Sequence, residues 1–345
     1  MTSKTSKKAR VYCFNEFGGP EKLYLHEDEV SLPSIGHVRV HVQAMSLNQA
    51  DSLFLANKYI EQPSLPSKLG YEIAGVIDAV AEDVQELRVG ERVSSIPTFS
   101  VKDYGNFGEL VVLPVRALMR TPPRLDIREA ASFTFAYFTD YFGLFELGRM
   151  EPFQTVLVTA ASSTTGLAAI SMARAAGCTV IATSRSRNKK EALEKAGAHH
   201  VVATAEENLA ERVHDLTEGR GVDIVYDCVA GTLSEAIIGC IRPFGRWIVY
   251  GLMDTTPFPF PWFSLLAGTI KLDLYKIFDF TGHRHLKLPS NDQALMKAIE
   301  YVSAGVQSGV LSVVVDKVFQ GLESLPEALT YQKSGAGSGK IVIEL

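Results

Sequence analysis

A run of small and hydroxyl-bearing residues separates an apolar, β-branched segment from a helix-forming segment. The run is Ala161-Ser162-Ser163-Thr164-Thr165-Gly166. Its small side chains would let backbone amides approach a pyrophosphate, its hydroxyls could donate to phosphate oxygens, and Gly166 would permit close helix–strand packing. A dinucleotide-binding turn carries G-x-G-x-x-G, of which only the third glycine is present. A helix N-terminus capped by Ser or Thr explains the same residues, so the turn alone leaves both interpretations open.

The segments on either side of this run predict a strand–turn–helix–strand unit. Thr155–Ala160 predicts one buried strand and Cys178–Thr183 the next. Between them, Gly166–Ala176 predicts a helix that ends at Gly177, because glycine tolerates the positive φ of a helix C-terminus. Strands and helices continue to alternate, which predicts a parallel, doubly wound sheet. These further elements are the strands His199–Thr204, Gly221–Val229, Gly245–Gly251 and Thr269–Tyr275 and the helices Glu206–Thr217 and Leu233–Ile241.

The preceding part of the chain predicts a β-rich domain, typical of a partly open barrel. Its predicted strands are Arg10–Phe14, Leu23–Glu27, His37–Ser46, Tyr71–Val80, Arg92–Ser95 and Gly108–Val112. Asn48 and Asp51 follow the alternating strand His37–Ser46, and polar residues that leave a buried strand are candidates for a site. The aromatic run Phe133–Leu147, with Asp140 inside it, predicts a buried helix that leads into the second domain.

The end of the chain predicts a helix over 291–308, a strand over Ser312–Phe319, a helix over Leu325–Lys333 and a strand over Lys340–Leu345. We expect this portion to rejoin the β-rich domain. The predicted bounds are therefore 1–145, completed by 310–345, for the first domain and 146–309 for the second.

Composition indicates a globular protein with a large core: 345 residues, 46% hydrophobic, 21% charged, with a formal net charge of −5. This charge gives no reason to expect nucleic-acid binding, and no segment reaches the ~18 apolar residues of a membrane helix. Four separated cysteines without a C-x-x-C pair favour a reducing compartment, and we expect the cytoplasm. Residues 1–10, MTSKTSKKAR, have no apolar region behind them and predict a short disordered tail.

Five sequence segments resemble the medium-chain dehydrogenase/reductase superfamily and follow its order over nearly the whole chain. They are HVQAMSLNQAD, KLGYEIAGVI, VGERV, VLVTAASSTTGLAAI and SGKIVIEL. The chain is most similar to the zinc-free quinone oxidoreductase and enoyl reductase branch. The resemblance implies a GroES-like catalytic domain, a Rossmann cofactor domain and a homodimer paired near Thr269–Tyr275. Before that possible edge strand, three prolines exclude a helix over Asp254–Trp262.

The chain departs from the zinc alcohol dehydrogenases at their metal ligands. It has Leu47 and Asn48 near the position of a zinc-binding cysteine, and Gly70-Tyr71-Glu72 where those enzymes have G-H-E. Leucine and tyrosine cannot supply the thiolate and neutral imidazole that a catalytic zinc requires, so we expect no metal. His283 and His285 lack a partner at metal-ligand spacing and are expected at the surface or at strand ends.

The resemblance implies that Asn48, Asp51 and Tyr59 line the nicotinamide and substrate site. Asn48 would hold a carbonyl or the cofactor ribose, and Asp51 would orient its neighbours rather than titrate. Tyr59 would donate to a developing enolate or hydroquinone oxygen. An Asx-capped loop with a half-buried tyrosine is the alternative.

The end of the second Rossmann strand favours NADP(H). An NAD-binding fold places an acid about 20 residues after the first glycine position, but here that region contains none. Ser184, Arg185, Arg187, Lys189 and Lys190 crowd the place of a 2′-phosphate instead. The resemblance also assigns phosphate binding to Lys189, and a solvated basic helix start is the alternative.

Other strand ends complete the predicted cofactor site. Gly231 and Gly251 would let the cofactor backbone pass, with Leu252 near the nicotinamide. The resemblance implies that Tyr141 faces the cofactor, although a buried core aromatic explains it nearly as well. Asp227 is expected only to cap a turn.

Together these features predict an NADPH-dependent, zinc-independent reductase of quinones or of the activated C=C bond of α,β-unsaturated carbonyl compounds. Its substrate would be a small molecule, which must supply its own electron sink when no metal polarises it. An NADPH-binding sensor without turnover and an alcohol or ketone oxidoreductase are the alternatives.

Overall fold

A computed structural model describes residues 6–345. The chain forms two compact units. The first takes the chain up to Phe135, Phe278–Ile299 and Val313–Leu345, and the second takes Ala136–Ile277 and Glu300–Ser312. This division differs from the predicted bounds of 1–145, 146–309 and 310–345, because 278–299 folds with the first unit and 136–145 with the second.

The strands agree closely with the predicted pattern. They are β1 (Lys7–Phe14), β2 (Leu23–Val30), β3 (His37–Ser46), β4 (Ser67–Lys68), β5 (Glu72–Val80), β6 (Arg92–Ser95), β7 (Leu110–Pro114), β8 (Leu118–Arg120), β9 (Thr155–Val158), β10 (Thr179–Ser184), β11 (His200–Ala203), β12 (Val222–Asp227), β13 (Ile241–Val249), β14 (Lys271–Leu274), β15 (Val315–Gln320) and β16 (Lys340–Glu344). The prediction of a tail over residues 1–10 is wrong from Lys7 onward, because β1 pairs there with β2. Residues 1–5 lie outside the described residues.

Twelve α-helices connect these strands in the described chain. They are α1 (Gln49–Leu55), α2 (Val101–Tyr104), α3 (Ile127–Ala130), α4 (Thr134–Tyr141), α5 (Thr164–Ala175), α6 (Lys190–Lys195), α7 (Leu209–Leu216), α8 (Ser234–Cys240), α9 (Trp262–Gly268), α10 (Phe278–Thr281), α11 (Asp292–Ser308) and α12 (Leu325–Ser334). The predicted aromatic helix is α4, which continues as a π-helix over Phe142–Leu147. None of the helices in the described residues is long and apolar enough to cross a membrane.

The first unit is built on two sheets. One is three-stranded with the order β2-β1-β4, and the other follows β15-β16-β3-β5-β6-β8, with β7 also paired to β3. The pairing of β16 with β3 aligns Val342 with Ser46, and the Leu47 amide donates to the Ile341 carbonyl at 3.0 Å. The last strand of the chain therefore lies beside the strand that leads to Asn48.

The second unit contains a six-stranded parallel sheet of order β11-β10-β9-β12-β13-β14. Counted along the chain this is 3-2-1-4-5-6, the order of a dinucleotide-binding fold. Every residue of β9 and β12 is buried, as expected for parallel strands covered on both faces. The predicted α/β class, with a GroES-like domain and a Rossmann sheet, is confirmed.

Candidate active site

Asn48 and Asp51 meet at the N-terminus of α1. Asn48 is the N-cap residue, and its backbone amide donates to Asp51 Oδ2 at 2.7 Å. Aspartate at the third helical position is favoured because its charge opposes the positive end of the helix dipole. Asp51 thus caps the start of α1 through the Asn48 amide, and both side chains are buried where β3 ends.

The Asn48 side chain lies between a buried cation and a buried anion. Lys340 Nζ lies 2.5 Å from Asn48 Oδ1 and 2.6 Å from Glu72 Oε2, and Asn48 Nδ2 donates to Glu72 Oε2 at 3.2 Å. The side chains of Lys340 and Glu72 are each only 1% exposed. Neither residue had a predicted role. The signal in the sequence is a lysine directly before the apolar run Ile341–Ile343 of β16.

Further donors hold the Glu72 carboxylate in place. Oε1 accepts from Thr134 Oγ1 at 2.9 Å and from the Phe135 amide at 3.0 Å, and Oε2 also accepts from Ser46 Oγ at 3.1 Å. A buried carboxylate is tolerated when it is paired and hydrogen-bonded in this way.

This donor set does not fit a catalytic zinc ion. The Tyr71 hydroxyl donates to Glu61 Oε2 at 3.0 Å, and Glu72 is bound to the ammonium of Lys340. Neither group offers the thiolate or imidazole that zinc prefers. Within residues 6–345, no group of three or more His, Cys, Asp or Glu side chains could hold a metal.

Burial raises the pKa of Asp51 to about 7, although the hydrogen bond from Asn48 and the charge of Lys340 oppose this rise. Asp51 therefore changes protonation near neutral pH, which differs from the expectation that it only orients its neighbours. A carboxyl group in this range can hold or release a proton under ordinary conditions.

Tyr59 follows α1 and is half-buried against aromatic rings. Its ring centroid lies 6.1 Å from that of Tyr71 and 6.4 Å from that of Phe278. Burial raises the pKa of Tyr59, and the carboxylates of Asp51 and Glu61 raise it further. The phenol thus stays protonated over a wide pH range and serves as a hydrogen-bond donor.

His283 is buried rather than at the surface as expected, whereas His285 is exposed as expected. His283 Nε2 lies 3.1 Å from Glu61 Oε2 with both side chains buried, and His285 Nε2 lies 2.9 Å from Asp103. Burial would raise the pKa of Glu61, but the interactions with His283 and Ser100 outweigh it and lower that pKa. The partners were missed because they lie far away in the chain.

The predicted phosphate turn has two features of a dinucleotide site. A Cβ at Gly166 would lie 2.6 Å from Ala161 Cα, so only glycine allows α5 to pack this closely. Ala160, one residue before the predicted first position, has a φ of +42°, which normally favours glycine. Ser163 Oγ accepts from the Gly166 amide at 3.1 Å, so the capping interpretation is also present. Ser162, Thr164 and Thr165 are half-buried around this helix start, and Ala161 is buried.

The basic residues after β10 are not equivalent. Arg187 Nε lies 3.1 Å from Glu206, and Lys190 pairs with Glu194 at 3.7 Å. Ser184 is buried and donates to the Ser186 carbonyl at 2.6 Å. Arg185 is exposed at the strand end, and Lys189 is half-buried in the 3₁₀ turn Arg187–Lys189. The cations that the sequence grouped together are thus partly neutralised by carboxylates.

The other predicted cofactor residues lie at strand ends or in the core. Gly231 follows β12 with a φ of +52°, and Gly251 and Leu252 follow β13. Tyr141 is buried against Phe145 and Tyr301, with ring centroids 5.3 and 5.6 Å away. Asp227 accepts hydrogen bonds from Thr159, Val229, Ala230 and Trp247 and caps the turn, as expected.

Two protein-family models match the chain: the alcohol dehydrogenase GroES-like domain over residues 34–123 and zinc-binding dehydrogenase over residues 164–282. The quinone oxidoreductase-like protein 2 homolog of Nematostella vectensis is 31% identical over 341 residues, which are 98% of this chain and 89% of that protein. The chain belongs to the quinone oxidoreductase-like branch of the medium-chain dehydrogenase/reductase superfamily. The predicted family is confirmed, and the protein is an oxidoreductase of this type.

Two further similarities bear on this superfamily. The quinone oxidoreductase of Homo sapiens is 27% identical over 345 residues, which are 99% of this chain and 98% of that protein. A quinone oxidoreductase of Escherichia coli, solved as a complex with NADPH, has the same fold, with a TM-score of 0.87 and 24% identity over 97% of this chain and 100% of that one. Members of the superfamily bind NAD(P).

Proposed function

We propose that this protein is an NADPH-dependent, metal-independent reductase of quinones or of the activated C=C bond of α,β-unsaturated carbonyl compounds. The observation that carries the proposal is the Asn48–Lys340–Glu72 network. In this network an ammonium polarises the amide of Asn48, a residue near the sequence position of a zinc-binding cysteine in the zinc enzymes of this superfamily. The similarity to quinone oxidoreductases supports the same reaction class.

Bound NADPH would supply a hydride equivalent. The residues of the chain must stabilise the negative charge that then gathers on the substrate oxygen. Asn48 has one N–H not engaged by Glu72, and Tyr59 keeps its proton because its pKa is raised. Both groups donate to an enolate or hydroquinone oxygen, and such donors contribute most where charge develops. A conjugated substrate is required because neither group polarises a simple ketone as strongly as a metal ion does.

NADPH fits the second unit through the turn at Gly166 and the exposed Arg185. The N-terminus of α5 is the positive end of a helix dipole, which favours a pyrophosphate. A charge-assisted hydrogen bond from Arg185 to a 2′-phosphate contributes about 1.5–3 kcal/mol. The Arg185→Ala variant should therefore weaken NADPH binding by about tenfold or more and leave NADH binding unchanged. Arg187→Ala is the control because carboxylates already engage Arg187. Equal losses for both cofactors would contradict the 2′-phosphate assignment.

A turnover assay separates the proposal from its alternatives. NADPH oxidation is followed with a panel of quinones, enals, enones and simple ketones. Consumption with the conjugated substrates is expected. NADPH binding without consumption would favour a sensor, and turnover of simple ketones or alcohols would favour the alcohol dehydrogenase alternative.

We further propose that two copies pair through the edge of the parallel sheet. β14 is the last strand of that sheet, and α9, which directly precedes β14 in the chain and packs against β13, exposes Trp262, Phe263 and Leu266 by 74, 82 and 79%. An exposed apolar patch of this kind marks a protein interface, and a free edge strand is a template for pairing.

We also propose a cytoplasmic location. All four cysteines are free and buried. Unpaired thiols are typical of a reducing compartment. Alkylation of the denatured protein from cells should label every cysteine, and a protected pair would contradict the proposal.

A further inference from the structure

Lys340 is a buried lysine at the first position of the terminal strand. We propose that it is a positioning residue for reduction: its ammonium fixes the Asn48 amide so that one N–H of Nδ2 is presented to the substrate oxygen. This inference rests on the proposed function above. It extends that function by assigning a role to a residue at the opposite end of the chain.

The chemistry of the three groups allows only one amide orientation. An ammonium only donates hydrogen bonds and a carboxylate only accepts them. Asn48 Oδ1 therefore faces Lys340 at 2.5 Å, and Nδ2 faces Glu72 at 3.2 Å. A flipped amide would place its NH₂ against the ammonium and its oxygen against the carboxylate, and both contacts would be repulsive. The two charges thus determine in which direction the Asn48 NH₂ group points.

The fixed orientation leaves one donor unused. The NH₂ group of Asn48 carries two hydrogens, and among the described residues only Glu72 accepts from it. The second hydrogen is the one available to a substrate oxygen. Without Lys340, the contact that holds Oδ1 is lost, and Glu72 alone no longer fixes the direction of the second N–H.

Backbone pairing fixes the distance between Asn48 and Lys340. β16 pairs with β3, and the Leu47 amide donates to the Ile341 carbonyl at 3.0 Å. Asn48 and Lys340 each adjoin a residue of this hydrogen bond. Small displacements matter here, because a misplacement of ~1 Å lowers enzyme rates by about 10²-fold.

Lys340 also acts on Asp51. The charged or titratable groups that face Asp51 are Lys340 from β16, Glu72 from β5, Tyr71 directly before β5 and Tyr59 after α1. The positive charge of Lys340 lowers the pKa of Asp51, whereas the negative charge of Glu72 raises it. Removal of the ammonium should therefore move the Asp51 titration above about 7. Loss of a lysine that does not face Asp51 would not move this titration.

The test compares Lys340→Met, Lys340→Arg and the control Lys317→Met. Lys317 is an exposed lysine on the neighbouring β15, aligned with Ile341, so its replacement removes the same charge outside the network. We expect Lys340→Met to lower kcat by about 10²-fold with NADPH affinity unchanged. Lys340→Arg should recover part of the rate, and the control should match the parent protein. A folded Lys340→Met protein with the parent kcat would overturn the proposal.

A second readout does not depend on turnover. Carbon-13 NMR of the aspartate carboxyl groups, with Asp51→Asn for assignment, should show the Asp51 titration shifted to higher pH in Lys340→Met. If the parent protein reduces no substrate, the proposed function fails and this titration still decides whether Lys340 acts on the site. An unchanged titration would contradict the inference.

The single substitution leaves Glu72 buried without its cation and could prevent folding. The double variant Lys340→Met with Glu72→Gln removes both charges and keeps a polar side chain at position 72. We expect it to fold and to show the same loss of kcat, because the Asn48 amide is no longer fixed by opposite charges. A double variant with the parent kcat would overturn the proposal equally.

Discussion

Among single residues of the site, Asp51 and Tyr59 differ in the pH at which they release a proton. Burial raises the pKa of both groups, which leaves Asp51 near 7 and Tyr59 protonated throughout the physiological range. Tyr59 thus donates a hydrogen bond without ionising, whereas Asp51 can exchange its proton. Their roles differ because a carboxyl group has a much lower ordinary pKa than a phenol, while burial raises the pKa of both.

Replacement of Tyr59 by phenylalanine should lower kcat by about 10²-fold, because a donor to the developing oxyanion is lost. NADPH affinity should not change, because the phenol is assigned to the substrate oxygen. Tyr24→Phe, at an exposed tyrosine of β2, is the control. Steady-state kinetics and a binding titration measure both quantities. An unchanged kcat would reduce Tyr59 to a packing residue.

The raised pKa of Asp51 predicts how stability depends on pH. The native carboxyl group has a pKa of about 7 against an ordinary value of 3.8. Its stabilising contribution is therefore complete below pH 3.8 and is lost as pH rises through about 7. Urea unfolding at several pH values should show a smaller decline for Asp51→Asn than for the parent. Asp215→Asn, at an exposed aspartate of α7, should follow the parent. Parallel curves for Asp51→Asn and the parent would refute the Asp51 assignment.

The sequence predicted only part of the candidate site, because sequence patterns are local. Asn48 and Asp51 could be selected because they follow a strand within a few residues of each other. Lys340 contacts Asn48 from 292 positions away. No spacing rule relates these two positions, since only the β16–β3 pairing brings them together. His283 and Glu61 were missed for the same reason.

At the element scale, the strand and helix pattern was largely predictable because parallel strands are continuous apolar runs between helix signals. One error lies at the end of β9, where the turn before α5 begins. The pattern predicts one strand over Thr155–Ala160, but β9 ends at Val158 and Ala160 enters the left-handed region. An alanine gives no sequence signal for positive φ, whereas a glycine would have.

The packing of α5 against the turn before it requires a glycine at position 166. In Gly166→Ala, the new Cβ would lie within 2.6–2.8 Å of three Ala161 backbone atoms. Backbone atoms cannot rotate aside, so α5 must shift, and we expect about 1–3 kcal/mol of lost stability together with weaker NADPH binding. Gly239→Ala in α8, where the nearest atom lies at 3.2 Å, is the matched control and should change stability little. Denaturant unfolding and cofactor titration measure the two effects. Equal behaviour of both variants would show that the turn does not require glycine.

At the scale of the whole molecule, the exposed face of α9 predicts self-association. Three large apolar side chains beside an edge strand are unusual on a monomer. Light scattering of the purified protein should give the mass of two 37.7 kDa chains. Phe263→Glu should shift this mass toward one chain, whereas Phe153→Glu, at an exposed phenylalanine outside α9, should not. A monomeric parent protein would contradict the predicted pairing.

In the proposed reaction, the protein transfers a hydride from NADPH to a conjugated substrate without a metal. The direct measurement uses chelator-treated protein, NADPH deuterated at the transferring carbon and an enone, with mass spectrometry of the product. We expect one deuterium at the β carbon of the saturated ketone and an unchanged rate after chelation. Cofactor binding with no deuterated product from any enone and no NADPH oxidation with any quinone, or activity abolished by chelation and restored by zinc, would contradict metal-independent hydride transfer.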